Sequence, residues 1–191
     1  MNTQNLIHAA AFCLALPFAS ATHAAIVDGT VAFNPSSTNV NVGDTFTLDV
    51  WGKGFTSSLD GGSFNFGFDG NVVRVDSVAL DTGTWEFAPS VGTTSNAPAG
   101  SVSGVEFNTF LHNPIGDFKI ATITFTALTL GTSSLDLSAG LNPYGSGGTP
   151  LNVGFQAGTI NAVPLPPSLL IMASSLASLM LIGRRKVSAD V

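Results

Sequence analysis

The feature that most constrains this sequence is an alternation of apolar and polar residues with a period of two. Phe46, Leu48 and Val50 are separated by polar residues, and the same pattern recurs at residues 63–68 and 121–127. Such an alternation places apolar side chains on one face of a β-strand and polar side chains on the other. Each strand must then bury its apolar face against another layer. The pattern therefore predicts packed β-sheets.

The rest of the central region gives the same type of signal in shorter segments. Further strands are predicted at residues 27–33, 73–75, 102–110, 133–137 and 155–160. Clusters of Gly, Asn and Asp separate the strands at residues 41–44, 60–62 and 69–71. No helical segment of useful length is visible between the two ends of the chain. We therefore predict an all-β, antiparallel β-sandwich over residues 25–162.

Residues 1–24 have the pattern of a secretory signal peptide. An apolar run from Ala9 to Phe18 is followed by small residues, which favours cleavage after Ala24 and leaves cleavage after Ala21 as a second possibility. The alternative interpretation is a buried N-terminal helix. Export would proceed through the Sec translocon and would remove Cys13, the single cysteine of the chain. The exported domain would then have no thiol to oxidise.

The C-terminal part combines a proline motif, an apolar run and a basic cluster, followed by a tail at residues 187–191. The motif residues are Val163, Pro164, Leu165, Pro166 and Pro167, and the basic residues are Arg184, Arg185 and Lys186. The apolar run at 168–182 predicts a single transmembrane helix of about 23 Å, and flanking residues can cover its mismatch with a bilayer core of about 30 Å. The basic cluster predicts a cytoplasmic tail.

This arrangement over residues 163–186 resembles the PEP-CTERM sorting signal of Gram-negative bacteria. The resemblance implies recognition by exosortase, a membrane-embedded cysteine protease or transpeptidase, and association with exopolysaccharide and biofilm matrix. The usual Val-Pro-Glu-Pro motif carries glutamate where this sequence has Leu165, so the particular sorting enzyme stays open. The expected location is the inner membrane during sorting, and then the cell surface or extracellular matrix. A permanent single-span anchor is the alternative.

The central region resembles the cohesin-like family of jelly-roll sandwiches, which is related in fold to type III cellulose-binding modules. The matching segments are residues 42–48, 62–73, 120–125 and 131–135. The resemblance implies a nine-stranded jelly roll with a binding or scaffolding role. It does not carry over recognition of a dockerin, because the chain contains no dockerin-like segment.

Composition excludes several classes of function. Residues 25–163 contain three basic residues against eleven acidic ones, so a nucleic-acid partner is not expected. His112 is the only histidine that would remain after export, which excludes a multi-histidine metal centre. Glu86 and Glu106 are the only glutamates, and a glycan-processing enzyme that pairs them is the last alternative function. We predict that the protein is not an enzyme and needs no cofactor.

The leading hypothesis is an exported structural or binding protein that contacts polysaccharide or another surface protein. A dedicated carbohydrate-binding module is the alternative, with Trp51, Trp85 and Tyr144 as candidate sugar contacts because flat rings stack on sugar faces. The competing interpretation places these three rings in or against the core. Asp69 and Asn71 are candidates for a structural calcium ion, and turn chemistry is the alternative explanation for them.

Overall fold

The computed structural model of the chain describes residues 27–165. It contains thirteen strands and no helix within these residues. The strands are β1 (Gly29–Asn34), β2 (Ser37–Asn41), β3 (Thr45–Phe55), β4 (Gly61–Asp69), β5 (Val73–Leu80), β6 (Ser90–Ser95), β7 (Ala99–Asn108), β8 (Gly116–Ala127), β9 (Gly131–Ala139), β10 (Gly145–Ser146), β11 (Thr149–Pro150), β12 (Val153–Gln156) and β13 (Gly158–Val163). The predicted all-β sandwich is therefore confirmed.

The strands form two sheets that pack face to face. The five-stranded sheet has the order β12-β1-β3-β8-β5. The eight-stranded sheet has the order β11-β10-β4-β9-β13-β2, and β7 pairs with β4 while β6 pairs with β7. The longest pairings, β3 with β8 and β4 with β7, are antiparallel hydrogen-bonded ladders at the centre of each sheet.

Two pairs of strands correct the prediction of a purely antiparallel sandwich. β1 pairs with β12 in parallel, and β2 pairs with β13 in parallel. The reason is that both ends of the domain change sheet. The chain crosses between the sheets after Asn34 and again at Ala157, so an N-terminal and a C-terminal strand lie side by side in each sheet.

Aromatic side chains dominate the core between the sheets. Phe66 of the eight-stranded sheet lies 5.5 Å from Phe33 and 6.3 Å from Phe125, which both belong to the five-stranded sheet. All three rings are buried. Ring pairs at such separations stabilise beyond the burial of their area, so Phe66 couples the two sheets directly.

The alternation predicted the long strands better than the short ones. The strand expected at 155–160 is broken at Ala157 into β12 and β13, and the strand expected at 102–110 ends at Asn108. Strands β2 and β6 were not predicted, because their sequences are almost entirely polar.

The signal peptide predicted at 1–24 lies outside the described residues, as do the transmembrane helix predicted at 168–182 and the basic cluster at 184–186. Within residues 27–165 no helix is long and apolar enough to cross a membrane.

Replacement of Phe66 should destabilise the domain strongly. We expect Phe66→Ala to lower the free energy of unfolding by about 3–5 kcal/mol, because it opens a cavity between both sheets. Urea denaturation of the full-length protein in detergent, followed by circular dichroism, measures the change. The matched control is Thr47→Ala on an exposed polar face, for which we expect a change within about 0.5 kcal/mol. Equal effects of both substitutions would contradict this account of the core.

Candidate functional site

Four connecting segments meet at one end of the sandwich, which we call the loop end. They are residues 56–60, 81–89, 109–115 and 140–152. The strand registers place them together, because Phe55 pairs with Gly116 and Gly61 pairs with Asn108. Loops at the end of a rigid sandwich are common places for binding residues.

Two exposed phenylalanines contact each other on the loop end. The rings of Phe87 and Phe110 lie 4.5 Å apart between centroids, and 49% and 70% of these residues are exposed. Leu111, beside them in the chain, is 79% exposed. Phe87 and Phe110 also line a cleft of about 370 Å³, together with Asp60, Asn108 and Tyr144, among others. We call Phe87, Phe110 and Leu111 the apolar cluster. Contiguous exposed apolar side chains of this kind mark interaction surfaces.

The carboxylate of Glu86 fixes the loop that carries Phe110. Its Oε1 accepts hydrogen bonds from the Thr109 hydroxyl at 3.1 Å and from the backbone N–H groups of Phe110 and Leu111 at 2.8 and 3.0 Å. Its Oε2 lies 3.3 Å from Nδ1 of His112. Since Glu86 directly precedes Phe87, this one side chain sets the position of one ring relative to the other.

These contacts determine the charge state of Glu86. Desolvation raises the pKa of this carboxyl, but the hydrogen bonds from Phe110, Thr109 and His112 outweigh it and bring the pKa down to about 2. Glu86 is therefore a carboxylate at neutral pH. A general acid needs a raised pKa instead, so this geometry does not favour a catalytic role for Glu86.

The carboxylate of Asp60 joins two other segments of the loop end. One oxygen accepts a hydrogen bond from Nδ2 of Asn113 at 2.7 Å, and the other accepts one from the backbone N–H of Gly147 at 2.6 Å. The backbone of Asp60 also accepts from Thr109 and donates to Gly145. Asp60 thus connects three loops and forms part of the wall of the cleft.

Unusual backbone conformations also concentrate at the loop end. Among the described residues, the non-glycine positions with positive φ are Ala88 at 43° and Asn113 at 35°. Ala88 directly follows Phe87, and Asn113 is held by Asp60. Conformations of this kind cost free energy and persist where surrounding contacts enforce them, often at functional sites.

Trp85 and Tyr144 lie beneath the loop end and not on its surface. Trp85 is fully buried, its indole N–H donates to the carbonyl of Lys119, and its ring lies 4.6 Å from that of Phe107. Tyr144 is 3% exposed and packs against Gly62, where a Cβ would lie 2.8 Å from the tyrosine ring. This corrects the prediction that Trp85 and Tyr144 contact carbohydrate, because neither presents a ring face to solvent. Burial also raises the pKa of Tyr144.

Trp51 occupies a different part of the surface. It is half-buried on the outer face of the five-stranded sheet, and Nζ of Lys53 lies 5.5 Å from the centroid of its ring. It pairs with Ala32 in β1 and with Lys119 in β8. Of the three predicted sugar contacts, Trp51 is the one that keeps an accessible surface.

Asp69 and Asn71 form a local turn at the opposite end of the sandwich. Oδ1 of Asp69 accepts hydrogen bonds from the backbone N–H and from Nδ2 of Asn71, at 2.9 and 3.0 Å. This is the turn chemistry that competed with the calcium prediction. Within residues 27–165 no group of three or more His, Cys, Asp or Glu side chains is placed to hold a metal ion.

The start of the predicted sorting motif belongs to the sheet. Val163 is the last residue of β13, and its carbonyl accepts a hydrogen bond from the N–H of Val42 at 3.0 Å. Pro164 and Leu165 follow in an exposed, irregular segment, whereas Pro166 and Pro167 lie outside the described residues.

The sequence-based predictions named Trp and Tyr side chains as candidate contacts and did not include the apolar cluster. A signal was present in the pattern. Val105 and Phe107 share one face of β7 and are buried. Phe110 is an odd number of residues away from Val105 and Phe107, so continued alternation would place it on the opposite, outward face. It also directly precedes the loop sequence of residues 111–114, so the pattern indicates an exposed phenylalanine at a strand end.

No family model matches this chain, and no curated protein matches it. Solved structures do resemble it. CaCohA2 from Clostridium acetobutylicum superposes with a TM-score of 0.60 at 16% identity, covering 74% of this chain and 94% of the other. The cohesin module of a family 33 glycoside hydrolase from Clostridium perfringens gives a TM-score of 0.56 at 11% identity, covering 73% of this chain and 100% of the other.

A third structure is the sixth cohesin of scaffoldin B from Acetivibrio cellulolyticus, solved in complex with a mutant Cel5 dockerin. It has a TM-score of 0.54 at 14% identity and covers 72% of this chain and 99% of the other. At these identities the likeness concerns the fold. The cohesin-like β-sandwich predicted for this chain is confirmed.

The role of Glu86 predicts a dependence of stability on acid pH. Because its folded-state pKa of about 2 lies below the ordinary value of 4.5, the ionised group stabilises the folded state above pH 4.5. This contribution is lost as the pH falls from 4.5 through 2. We therefore expect Glu86→Gln to lower the melting temperature at pH 7, and the difference from wild type to shrink across that window.

Thermal unfolding of the full-length protein from pH 2 to 7, followed by circular dichroism, checks this expectation. The matched control is Glu106→Gln, because the Glu106 carboxylate accepts no hydrogen bond within the described residues. A difference between wild type and Glu86→Gln that stays constant with pH would show that the carboxylate does not hold the loop.

Proposed function

We propose that the protein is an exported, non-catalytic binding module that contacts a protein partner at the cell surface or in the extracellular matrix. The observation that carries this proposal is the apolar cluster on a loop end fixed by Glu86 and Asp60. Exposed aromatic and aliphatic side chains on rigid loops provide the desolvated anchors on which protein interfaces depend.

The shape of the cluster supports a protein partner. Phe110 and Leu111 are adjacent and mostly exposed, so they offer two separate apolar anchors and not one flat platform. The Acetivibrio cohesin with the same fold was solved with a bound dockerin, which supports a protein-binding role for this type of sandwich. A sugar-binding role through Trp85 and Tyr144 loses its support, because both rings are buried.

The proposal includes export and sorting by the two ends of the chain. Residues 1–24 would direct Sec-dependent export, residues 25–162 would fold outside the cytoplasm, and residues 163–186 would be recognised by an exosortase-type enzyme. The resemblance of the C-terminal residues to PEP-CTERM signals supports this step and an association with exopolysaccharide or biofilm.

The position of Val163 supports this arrangement. Val163 leaves the sheet beside Val42, whereas the loop end lies at the other end of the strands, where Phe55 pairs with Gly116. A C-terminal membrane anchor would therefore direct the apolar cluster away from the membrane, where a partner can reach it.

Processing at the proline motif predicts a defined product. Backbone up to Val163 is held in the sheet, so the first bonds open to a protease follow it. We expect mature protein from the surface or medium of the native host to end between Val163 and Pro167. Intact mass spectrometry measures this end. A surface form that retains Arg184, Arg185 and Lys186 would contradict processing and support a permanent anchor.

Contact through the apolar cluster predicts a site-specific cross-link. A photoreactive phenylalanine analogue at position 111, introduced in the native host, should give a discrete protein adduct on illumination. We expect the additional change Phe110→Ser to reduce that adduct about tenfold, since an interface anchor contributes more than about 1 kcal/mol.

The control places the same analogue at Ser134, an exposed residue of β9 that lies away from the loop end. Equal adducts from positions 111 and 134 would contradict a specific contact. An adduct that contains only glycan would favour the carbohydrate-binding alternative at this surface.

A further inference from the structure

Two lysines that form no ion pair within residues 27–165 lie on one face of an otherwise acidic domain. The described residues contain three Lys and Arg side chains, namely Lys53, Arg74 and Lys119. Two ion pairs are present within residues 27–165, Arg74 with Asp76 at 2.7 Å and His112 with Glu86 at 3.3 Å. Neither ion pair involves Lys53 or Lys119. Both lysines are on the outer face of the five-stranded sheet, where they flank Trp51 on its own strand and on the neighbouring strand.

A break in the strand register places Lys119 on this face. Val50 pairs with Ala121, but the next residue, Trp51, pairs with Lys119, so Ile120 is an extra residue in β8. Ile120 and Ala121 are both fully buried. Simple alternation from Ala121 would turn Lys119 inward, whereas the bulge turns it outward beside Trp51. The hydrogen bond from Trp85 to the carbonyl of Lys119 holds this geometry at 3.0 Å.

Asp49 and Asp117 accept hydrogen bonds from neutral donors and form no ion pair with either lysine. Asp49 accepts a hydrogen bond from the hydroxyl of Thr122 at 2.6 Å, and Asp117 accepts one from the backbone N–H of Gly54 at 2.7 Å. Within residues 27–165, neither ammonium group lies within ion-pair distance of a carboxylate. In a domain with three basic and eleven acidic residues, their position on either side of one tryptophan points to an anionic ligand.

We propose that Trp51, Lys53 and Lys119 bind a carboxylated sugar residue of an acidic polysaccharide. The indole ring offers an apolar surface to the C–H face of a sugar, and the lysines supply cations for its carboxylate. The Lys53 side chain is flexible, so a sugar ring can take its place over the indole while the ammonium stays bonded to the carboxylate. A neutral sugar would use the indole alone, and two cations are too few for a nucleic-acid backbone.

This binding site goes beyond the proposed protein-binding function and lies on a different surface. The loop end holds the apolar cluster, whereas Trp51 lies on the outer face of a sheet. Loss of one surface should therefore leave the other intact, and a single set of variants can separate the two proposals.

The test is isothermal titration of the full-length protein, in a non-ionic detergent, with tetragalacturonic acid and with its methyl ester. The methyl ester keeps the sugar rings but removes the charges. We expect Lys53→Gln and Lys119→Gln each to weaken binding of the acid about fivefold, the effect of one exposed ion pair. Trp51→Ala should weaken it about tenfold or more, as expected for a lost ring contact.

Two control variants should bind like wild type. Arg74→Gln removes the third cation of the same sheet, which is already paired with Asp76. Phe110→Ser alters the loop end. The lysine variants remove one charge each from half-buried surface side chains and keep the first two methylene groups of the stem, so they test the proposal even where Trp51→Ala fails to fold.

Results of three kinds would overturn the proposal. The first is no measurable binding of the acid. The second is equal binding of acid and methyl ester, or binding that both lysine variants leave unchanged. The third is equally tight binding of a tetraglutamate peptide, which would show a site for acidic peptides and not for sugar.

Discussion

The two sheets of this protein depend on the contact of aromatic rings across their interface. Phe66 projects from the eight-stranded sheet between Phe33 and Phe125 of the other sheet, and all three are buried. The long strands β3, β4, β7 and β8 each pack one face against the core, so their other faces and the connecting loops form the surface. Both candidate sites follow from this division, one from the loops at an end of the sandwich and one from an outer face.

Above the buried rings of Trp85 and Tyr144, polar contacts fix the segments that carry the apolar cluster. Glu86 holds the residues that carry Phe110, and Asp60 joins Asn113 to Gly147. Each carboxylate satisfies several backbone or side-chain donors, as buried and half-buried polar groups require. Because these polar contacts hold the loops, Phe87 and Phe110 are not needed in the core and stay exposed, which is consistent with the proposed contact with a partner. A loop held by its own apolar residues would have hidden them.

The sequence predicted those parts of the structure in which burial alternates with the strand. Phe46, Leu48 and Val50 alternate as the structure does, and a sandwich follows from several such strands. The polar strands β2 and β6 carry no such signal, because backbone pairing with a neighbour holds them in place. The bulge at Ile120 leaves a trace in the sequence, because the apolar positions shift there from Phe118 and Ile120 to Ala121 and Ile123. That Lys119 lies beside Trp51 could not be predicted, because it depends on how β3 pairs with β8.

The direction of the strands links the surfaces to the ends of the chain. Strand β3 runs from Thr45, near the exit of the chain at Val163, towards Phe55 at the loop end. Trp51 lies in the second half of β3, on the flank of the sandwich. A chain anchored through residues 163–186 would thus hold the apolar cluster outermost and the Trp51 face along its side. A partner protein would then approach from above while a polysaccharide strand passes beside the domain, so the two ligands need not compete.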